Sequence, residues 1–513
     1  MHKYKRLLYL FTAIKLIAPF FLQNSFYQPH RDEFLYLAEG QHMAWGYMEV
    51  PPLLSVFAWL TNSFGGSMFW IKIWPAVFGA LTFFLTGKII LSLGGKMFAL
   101  LLGWLPFMLD GYMRLFYLFQ PNFLEVFFWT AISFCIIKFI QTNKNKWLYG
   151  FGICAGLGMM SKYSVAFYVM SILIGFLLTK KRNVFLNKHF YYASIIGLVI
   201  FLPNMVWQYN HNFPVVAHMQ ELQEEQLQYI NPKDFIVSQF MMNLSFVFTW
   251  LAGLYFVIFT KQGKQFLLFA FAYFTVIILL LSLQGKDYYA LGVYPVLFAF
   301  GAYQLEKVTE NKLKFLRYAL LVFGIALGLF SLPLIMPVAP PQSLAKYYET
   351  THLNKTGSFK WEDLKMHPLP QDFADMIGWH ETAEKVANVY NHLSPEQKNN
   401  TIIFCDQYAH AAALTYYAKE FNLPQVYSAN ASFLLWLPDT INAKNVILVN
   451  HELRDTNDAV FKNFEKGAIV DSLNYPLCRE TGVKIMLYEN ANDQFNAAAA
   501  TAIAKLKSRF IRK

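Results

Sequence analysis

At 513 residues, 56% of them hydrophobic and 18% aromatic, with a mean hydropathy of +0.31, the chain is too apolar for a soluble protein and is rich in runs of membrane-spanning length. A formal net charge of +11 would suit a nucleic-acid binder, but Lys and Arg fall in short clusters between the apolar runs, the positive-inside pattern, which argues against that class. The four cysteines, Cys135, Cys154, Cys405 and Cys478, lack metal-type spacing, and Cys405 with Cys478 is the one pair open to a bridge.

The first residues, MHKYKRLLYLFTAIKLIAPFFLQ, start basic and lack a small-residue cleavage site, so they read as a first span with its N-terminus inside. Runs near 7–24, 68–92, 97–113, 121–141, 147–162, 164–179, 189–207, 235–260, 266–283, 291–306 and 315–336 give about eleven transmembrane helices. The stretch 147–179 is divided into two helices meeting near Lys162, because a single helix would put Lys180, Lys181 and Arg182 outside and invert every later loop. Gly150, Gly152, Gly156 and Gly158 let the first of these pack closely on a neighbour.

The first outer loop, residues 25–67, holds Asp32, Glu33, Glu39 and Glu49, acids that no lipid-facing span carries cheaply. Its halves read as two interfacial helices. In the first, Asp32 and Glu33 open the helix and Phe34, Leu35, Leu37 and Ala38 are available to the lipid side. In the second, Pro51 and Pro52 start a helix with Leu53, Phe57, Leu60 and Phe64 at helical spacing, closed by Gly65 and Gly66. Asp32 and Glu33 are equally open to a plain role, complementing the positive end of a helix dipole.

An odd number of spans places everything after residue 337 outside, and the composition shifts there. WHETAEKVANVYNHL and AHAAALTYYAKEF read as helices, and TIIFCDQY, NVILVN and VKIMLYE as strands of a mostly parallel sheet. The chain thus divides into a transmembrane catalytic domain, 1–336, and an extracytoplasmic α/β domain, 337–513. No G-x-G-x-x-G or P-loop opens a helix of the latter, which leaves a nucleotide role without support. The tail NAAAATAIAKLKSRFIRK is a basic helix or frays.

On this topology the ionisable residues gather at the outer face: Asp32, Glu33, Glu49, Arg114, Lys162, His211, His218, Glu221, Glu224, Glu225, Lys286 and Asp287. Transporters more often hold such groups near the midplane within repeated halves, and no internal repeat is present. Carboxylates and cations at one membrane face suit an enzyme acting on a lipid with an anionic head group.

The segments DEFLYLAEGQHMAWGYMEVPPLLSVFAWL, GLGMMSKYSVAFYV, FLPNMVWQYNHNFPVVAHMQEL and GKDYYALGVYPVLFAFGA resemble the membrane-embedded GT-C glycosyltransferases. Within these the chain is similar to the branch of protein O-mannosyltransferase-like proteins and the aminoarabinose–lipid A transferase. The resemblance covers nearly the whole chain, and DQYAHAAALTYYAKEFNLPQVYSANASFLLWLP looks like the outer domain of bacterial members. It implies that Asp32 is the catalytic carboxylate with Glu33 beside it, and that Glu49, before the Pro pair, helps hold a divalent metal ion with a histidine of the later loop, here His218. Where that relative has a phosphate-binding lysine the chain has Val50, and where the family often has an acid after the proline of the second outer loop it has Asn122, with Glu125 one turn on.

A polyprenyl phosphate is already a good leaving group, so the chemistry requires a carboxylate base and cations or a metal at the departing phosphate. Lys286 and Arg114 are the candidate phosphate partners, and Tyr288 or Tyr289 a further donor. Each has a plainer role available: Lys286 as a snorkelling interfacial anchor, His218 with Glu221 as a solvated helix face, Lys162 as a packing or topology residue, and the loop aromatics as membrane belts. The expected activity is transfer of a monosaccharide, with inversion, from a polyprenyl-phosphate sugar donor to a lipid, glycan or protein acceptor at the outer face of the inner membrane. A transporter or flippase of a lipid-linked intermediate is the alternative, and a phosphatase of the same lipids a third.

Overall fold

The computed structural model describes residues 2–311, 313–451 and 461–510. Helix α1 (His2–Leu22) leads into the first loop, where α2 (Arg31–Glu39) and α3 (Leu53–Ser63) lie before α4 (Met68–Leu93). The bundle continues through α5 (Met97–Leu109), the single turn α6 (Tyr112–Leu115), α7 (Pro121–Thr142), α8 (Lys146–Met159), α9 (Val165–Leu177) and α10 (Lys188–Asn210). After it come α11 (Pro214–Glu225), α12 (Pro232–Met241), α13 (Val247–Phe259), α14 (Leu268–Ser282), α15 (Tyr294–Val308) and α16 (Lys314–Ile335).

Every expected span has a helix at its place, but their lengths differ. Helices α4, α7, α10 and α16 are each long and apolar enough to cross a membrane, while several others are shorter than a full span. The run 235–260 is not one straight rod: α12 and α13 meet at a bend of 66°. The division near Lys162 holds, with the chain leaving helix between Met159 and Val165. Close packing through small residues is visible where α8 meets α10: a Cβ on Gly152 would stand 2.1 Å from the Ala193 carbonyl oxygen, and one on Gly156 2.7 Å from that of Gly197. Helix α7 is buried along most of its length, whereas α10 and α16 present Ile195, Leu198, Val199, Phe315, Tyr318 and Val322 outward, as lipid-facing helices do.

The first loop departs from expectation in what covers it. The apolar side of α2 meets protein, not lipid: Phe34 is fully buried and packs edge-on against Trp379 and Tyr416, with ring centroids 5.9 and 5.2 Å apart. Periodicity reveals that a face is apolar but not which apolar surface will cover it. Helix α3 crosses α2 closely at Gly40, where a Cβ would lie 2.6 Å from the backbone of Ala58, and Phe57 of α3 packs on Trp74 and Phe78 of α4.

After residue 336 come α17 (Pro341–Thr350), α18 (Gln371–Ala374), α19 (Trp379–Asn391), α20 (Pro395–Asn399), β1 (Thr401–Cys405), α21 (Tyr408–Phe421), β2 (Val426–Ser428), α22 (Phe433–Trp436), β3 (Asn445–Asn450), β4 (Phe464–Ser472), β5 (Lys484–Ala491) and α23 (Asp493–Lys507). The strand order is β2-β1-β3-β5-β4, with β2, β1 and β3 parallel and the β4–β5 hairpin added antiparallel. The sheet is therefore mixed rather than mostly parallel. Strand β4, largely exposed, carries too weak an apolar pattern to stand out in the sequence. All four cysteines are free; Cys478 donates to the Ile377 carbonyl rather than pairing with Cys405. One apolar cluster joins Tyr27, Phe34, Leu35 and Ala38 of the first loop to Trp379, Ala409, Ala413 and Tyr417, so α2 is sandwiched between the bundle and the sheet-bearing portion.

Candidate active site at the membrane face

Helix α2 begins in a capping box whose cap is a histidine. His30 Nδ1 accepts from the Asp32 backbone N–H, and the Glu33 carboxylate accepts from the His30 N–H at 2.8 Å. Glu33 does more than cap. Its oxygens also accept from Lys72 Nζ at 2.6 and 2.7 Å and from the Phe119 backbone N–H at 2.6 Å, and both Glu33 and Lys72 are fully buried. A carboxylate saturated in this way has no lone pair turned to a substrate, so Glu33 is a structural member of the site, contrary to the catalytic role expected beside Asp32.

Asp32 is different. It accepts from the Tyr408 hydroxyl at 2.7 Å and from Gln120 Nε2 at 3.1 Å, yet its side chain keeps 30% exposure. Burial works against its charge, but His30, Arg31, the Tyr408 hydrogen bond and Lys286 outweigh that and hold its carboxyl below the ordinary aspartate range. The result is an ionised, accessible carboxylate on a rigid helix start.

Lys286 lies within electrostatic reach of Asp32 and of Lys162. Its ammonium is 3.5 Å from Glu362 and partly exposed. Lys162, in the break between α8 and α9, donates to Asn122 Oδ1 at 2.6 Å and Glu125 Oε2 at 2.8 Å and stands 4.1 Å from the centre of the Tyr289 ring. Glu125 also accepts from Ser164. Thus Glu125, one turn after Asn122, is the partner of a lysine. Tyr288 is beside Tyr289, and burial together with Tyr289, Asp32 and Tyr36 pushes its phenol well above the ordinary range, so it remains a donor. Two ammonium groups and two phenols therefore gather near the Asp32 carboxylate.

Arg114 does not join them. Its guanidinium donates to the Ile335 and Leu334 carbonyls at the end of α16 and to Asp372 at 2.8 Å, and covers the Phe373 ring. That fork ties the bundle to the chain after it, which corrects the expectation that Arg114 receives phosphate.

The expected metal pair is Glu49 and His218. Glu49 accepts from the Ser432 N–H at 2.8 Å and the Ser432 hydroxyl at 2.5 Å, and its charge is within electrostatic reach of Glu39. His218 is a half-buried residue of α11. Among the described residues the metal-type group of three or more side chains is His410, His451 and Glu480. Glu39, fully buried, accepts from Ser55 at 3.0 Å; burial, then the Glu49 charge, push its carboxyl well above the ordinary range. Tyr36 lies between this pair and Asp32, its phenol raised by burial and by the same acids.

Tyr408, Gln120 and the proximity of buried Glu39 to half-buried Glu49 were not singled out by sequence. Tyr408 had one signal: it follows the carboxyl end of a parallel strand, where α/β sheets expose functional groups.

A helical bundle with spans of membrane-crossing length, with acids and cations assembled at one end and a sheet-bearing portion over them, defines a polytopic membrane protein. Residues 49–207 match the family described as dolichyl-phosphate-mannose-protein mannosyltransferase. In three dimensions the chain is similar to ArnT from Cupriavidus metallidurans bound to undecaprenyl phosphate, with a TM-score of 0.60 at 12% identity over 95% of this chain and 98% of that one. The same protein in the apo state gives 0.60 at 11% identity with the same coverage. An oligosaccharyltransferase of Archaeoglobus fulgidus in complex with zinc and sulfate is more distant, with a TM-score of 0.46 at 12% identity over 86% of this chain and 67% of that one. No curated protein matches the sequence. At 12% identity the likeness shows that the chain has the fold of ArnT, and the family model matches it over residues 49–207.

Proposed function

We propose that the protein moves a monosaccharide from a polyprenyl-phosphate donor to an acceptor hydroxyl on a lipid, glycan or protein, with inversion at the anomeric carbon. The observation that carries this reading is the Asp32 carboxylate, ionised and accessible, with Lys286 in reach of it. Asp32 takes the acceptor proton as the acceptor oxygen attacks the anomeric carbon, and the bond from that carbon to the phosphate oxygen breaks. The leaving phosphate keeps the electron pair, and Lys286, the remaining donor of Lys162, and the Tyr288 and Tyr289 hydroxyls neutralise it. Attack from the face opposite the phosphate inverts the configuration.

The family match and the ArnT-like fold support a lipid-phosphate donor; the ArnT structure itself holds undecaprenyl phosphate. In this reading residues 1–336 are the catalytic membrane domain and 337–513 an outer α/β domain that supplies Tyr408. The N-terminus is cytoplasmic, and the site faces the outer side of the inner membrane. Purified protein incubated with a labelled polyprenyl phosphosugar and a cell-envelope extract tests the proposal. A new glycosidic product supports it. Release of phosphate alone, or movement of intact lipid without a product, favours a phosphatase or a flippase.

A further inference from the structure

The sheet contains a feature that the transfer reaction does not use. Strand β1 is interior: the chain leaves it through α21 to β2 on one side and later returns to β3 on the other. The carboxyl ends of β1 and β3 therefore flank a topological switch point, the place where open α/β sheets bind ligands. Three metal-ligating side chains converge there. His410 stands in the first turn of α21 after β1, His451 directly follows β3, and Glu480 is in the segment leading into β5.

The distances suit one ion. Glu480 Oε2 is 3.2 Å from His410 Nε2 and 2.6 Å from His451 Nε2, and one ligand atom from each residue falls within 4.8 Å of the others. Ligand atoms about 2.0–2.2 Å from a tetrahedral zinc ion lie roughly 3.4 Å from one another, so admitting an ion takes an opening of about 1 Å at the His451 side. The surroundings are those of a built site. His410 is 1% exposed, and both of its ring nitrogens lack a well-aligned hydrogen-bond partner. Burying an imidazole whose nitrogens make no well-aligned hydrogen bond is costly, and a metal bond would satisfy it. Glu480 is equally buried, while His451 is partly open and gives a path from solvent.

We propose that His410, His451 and Glu480 bind a divalent transition metal ion, zinc by the chemistry of two imidazoles and one carboxylate, with water completing the shell. The site is separate from the Glu49–His218 pair and does not depend on what the protein transfers. It fixes the start of α21, the helix that also carries Tyr408 to Asp32. The competing arrangement is a metal-free carboxylate bridging two imidazoles, with the Arg31 guanidinium as the additional cation.

The test is metal content of the full-length, untagged protein, exposed to zinc and then freed of loose metal by gel filtration. About one zinc per chain is expected in the wild type, in Glu49→Gln and in His218→Ala, and loss of most of it in His410→Ala and Glu480→Gln. Because a variant can fail to fold, cobalt-loaded wild-type protein provides a second measurement: visible absorption bands of four-coordinate Co²⁺ at about one equivalent support the site. A wild type without stoichiometric zinc and without those bands overturns the proposal. Zinc retained in full by both His410→Ala and Glu480→Gln overturns it as well.

Discussion

The Tyr408 hydroxyl donates to Asp32 Oδ1 at 2.7 Å, joining two residues 376 positions apart. A phenol of the sheet-bearing portion thus helps set the basicity of a carboxylate held by the helical bundle. Asp32→Asn removes the proton acceptor while preserving size. A loss of turnover of about 10²–10⁴-fold is expected, with donor binding retained, since that is the usual range for a general base. Tyr408→Phe should be milder and of a different kind. Its hydrogen bond is among the influences that lower the Asp32 pKa, so its removal should move the acidic limb of the pH–rate profile upward. Near wild-type turnover in Asp32→Asn would remove the assigned base.

Glu33 serves as the internal comparison. Glu33→Gln leaves the buried Lys72 ammonium without its counter-charge, and breaking a buried pair from one side costs about 3–5 kcal/mol. The expected outcome is a lowered melting temperature and reduced yield in detergent, with the surviving folded protein still turning over. A Glu33→Gln protein of normal stability but no activity would return Glu33 to the chemistry.

How far the sequence reaches is clear from these two acids. Their position before an apolar stretch placed them at a helix start, and the structure puts them there. Separating their roles required knowing that Lys72 and the Phe119 N–H converge on Glu33 while Tyr408 and Gln120 converge on Asp32. Those partners are tens to hundreds of residues away, beyond any local pattern. The spans were legible because hydropathy is local, as was the break at Lys162, forced by the charge rule. The docking of α2 under α21, the exposed strand β4 and the capture of Arg114 by Asp372 depend on tertiary packing alone.

The proposed orientation, with the N-terminus inside and the sheet-bearing portion outside, rests on the distribution of basic loops. Single cysteines at the exposed positions Ser358 and Asn399 should label with a membrane-impermeant maleimide once the outer envelope is opened and the inner membrane left intact. Labelling that requires a permeabilised inner membrane would place the site on the opposite face.

Glu39 gives a pH prediction whose sign is fixed. Its folded-state pKa is raised by burial and by Glu49, so the stability linked to its proton is present below the unfolded value and is lost as pH rises through the folded one. Glu39→Gln keeps a group able to meet both Ser55 and Glu49 but has no proton to lose. Melting temperatures from pH about 5 to about 9 should fall on the alkaline side for the wild type and fall less for Glu39→Gln. Parallel curves would show that Glu39 does not carry the alkaline loss.

Lys286 and Lys162 both face the region assigned to the donor phosphate, and their different partners separate them. Lys286 contacts Glu362 at 3.5 Å on a partly exposed surface, so its removal leaves no buried charge stranded. Lys162 neutralises Glu125, whose side chain is 3% exposed, and its removal strands that carboxylate. A hydrogen bond to a charged group is worth about 1.5–3 kcal/mol. Lys286→Ala should therefore weaken transition-state binding roughly 10–100-fold, seen as a fall in kcat/KM for the donor, while the melting temperature stays near that of the wild type. Lys286→Arg should recover part of the activity because it keeps the charge. Lys162→Ala should lower both stability and activity, and pairing it with Glu125→Gln should restore stability without restoring kcat/KM. If Lys286→Ala leaves kcat/KM unchanged, Lys286 is an interfacial anchor; if the Lys162→Ala, Glu125→Gln double variant regains full activity, Lys162 only neutralises Glu125 and the phosphate is held by other groups.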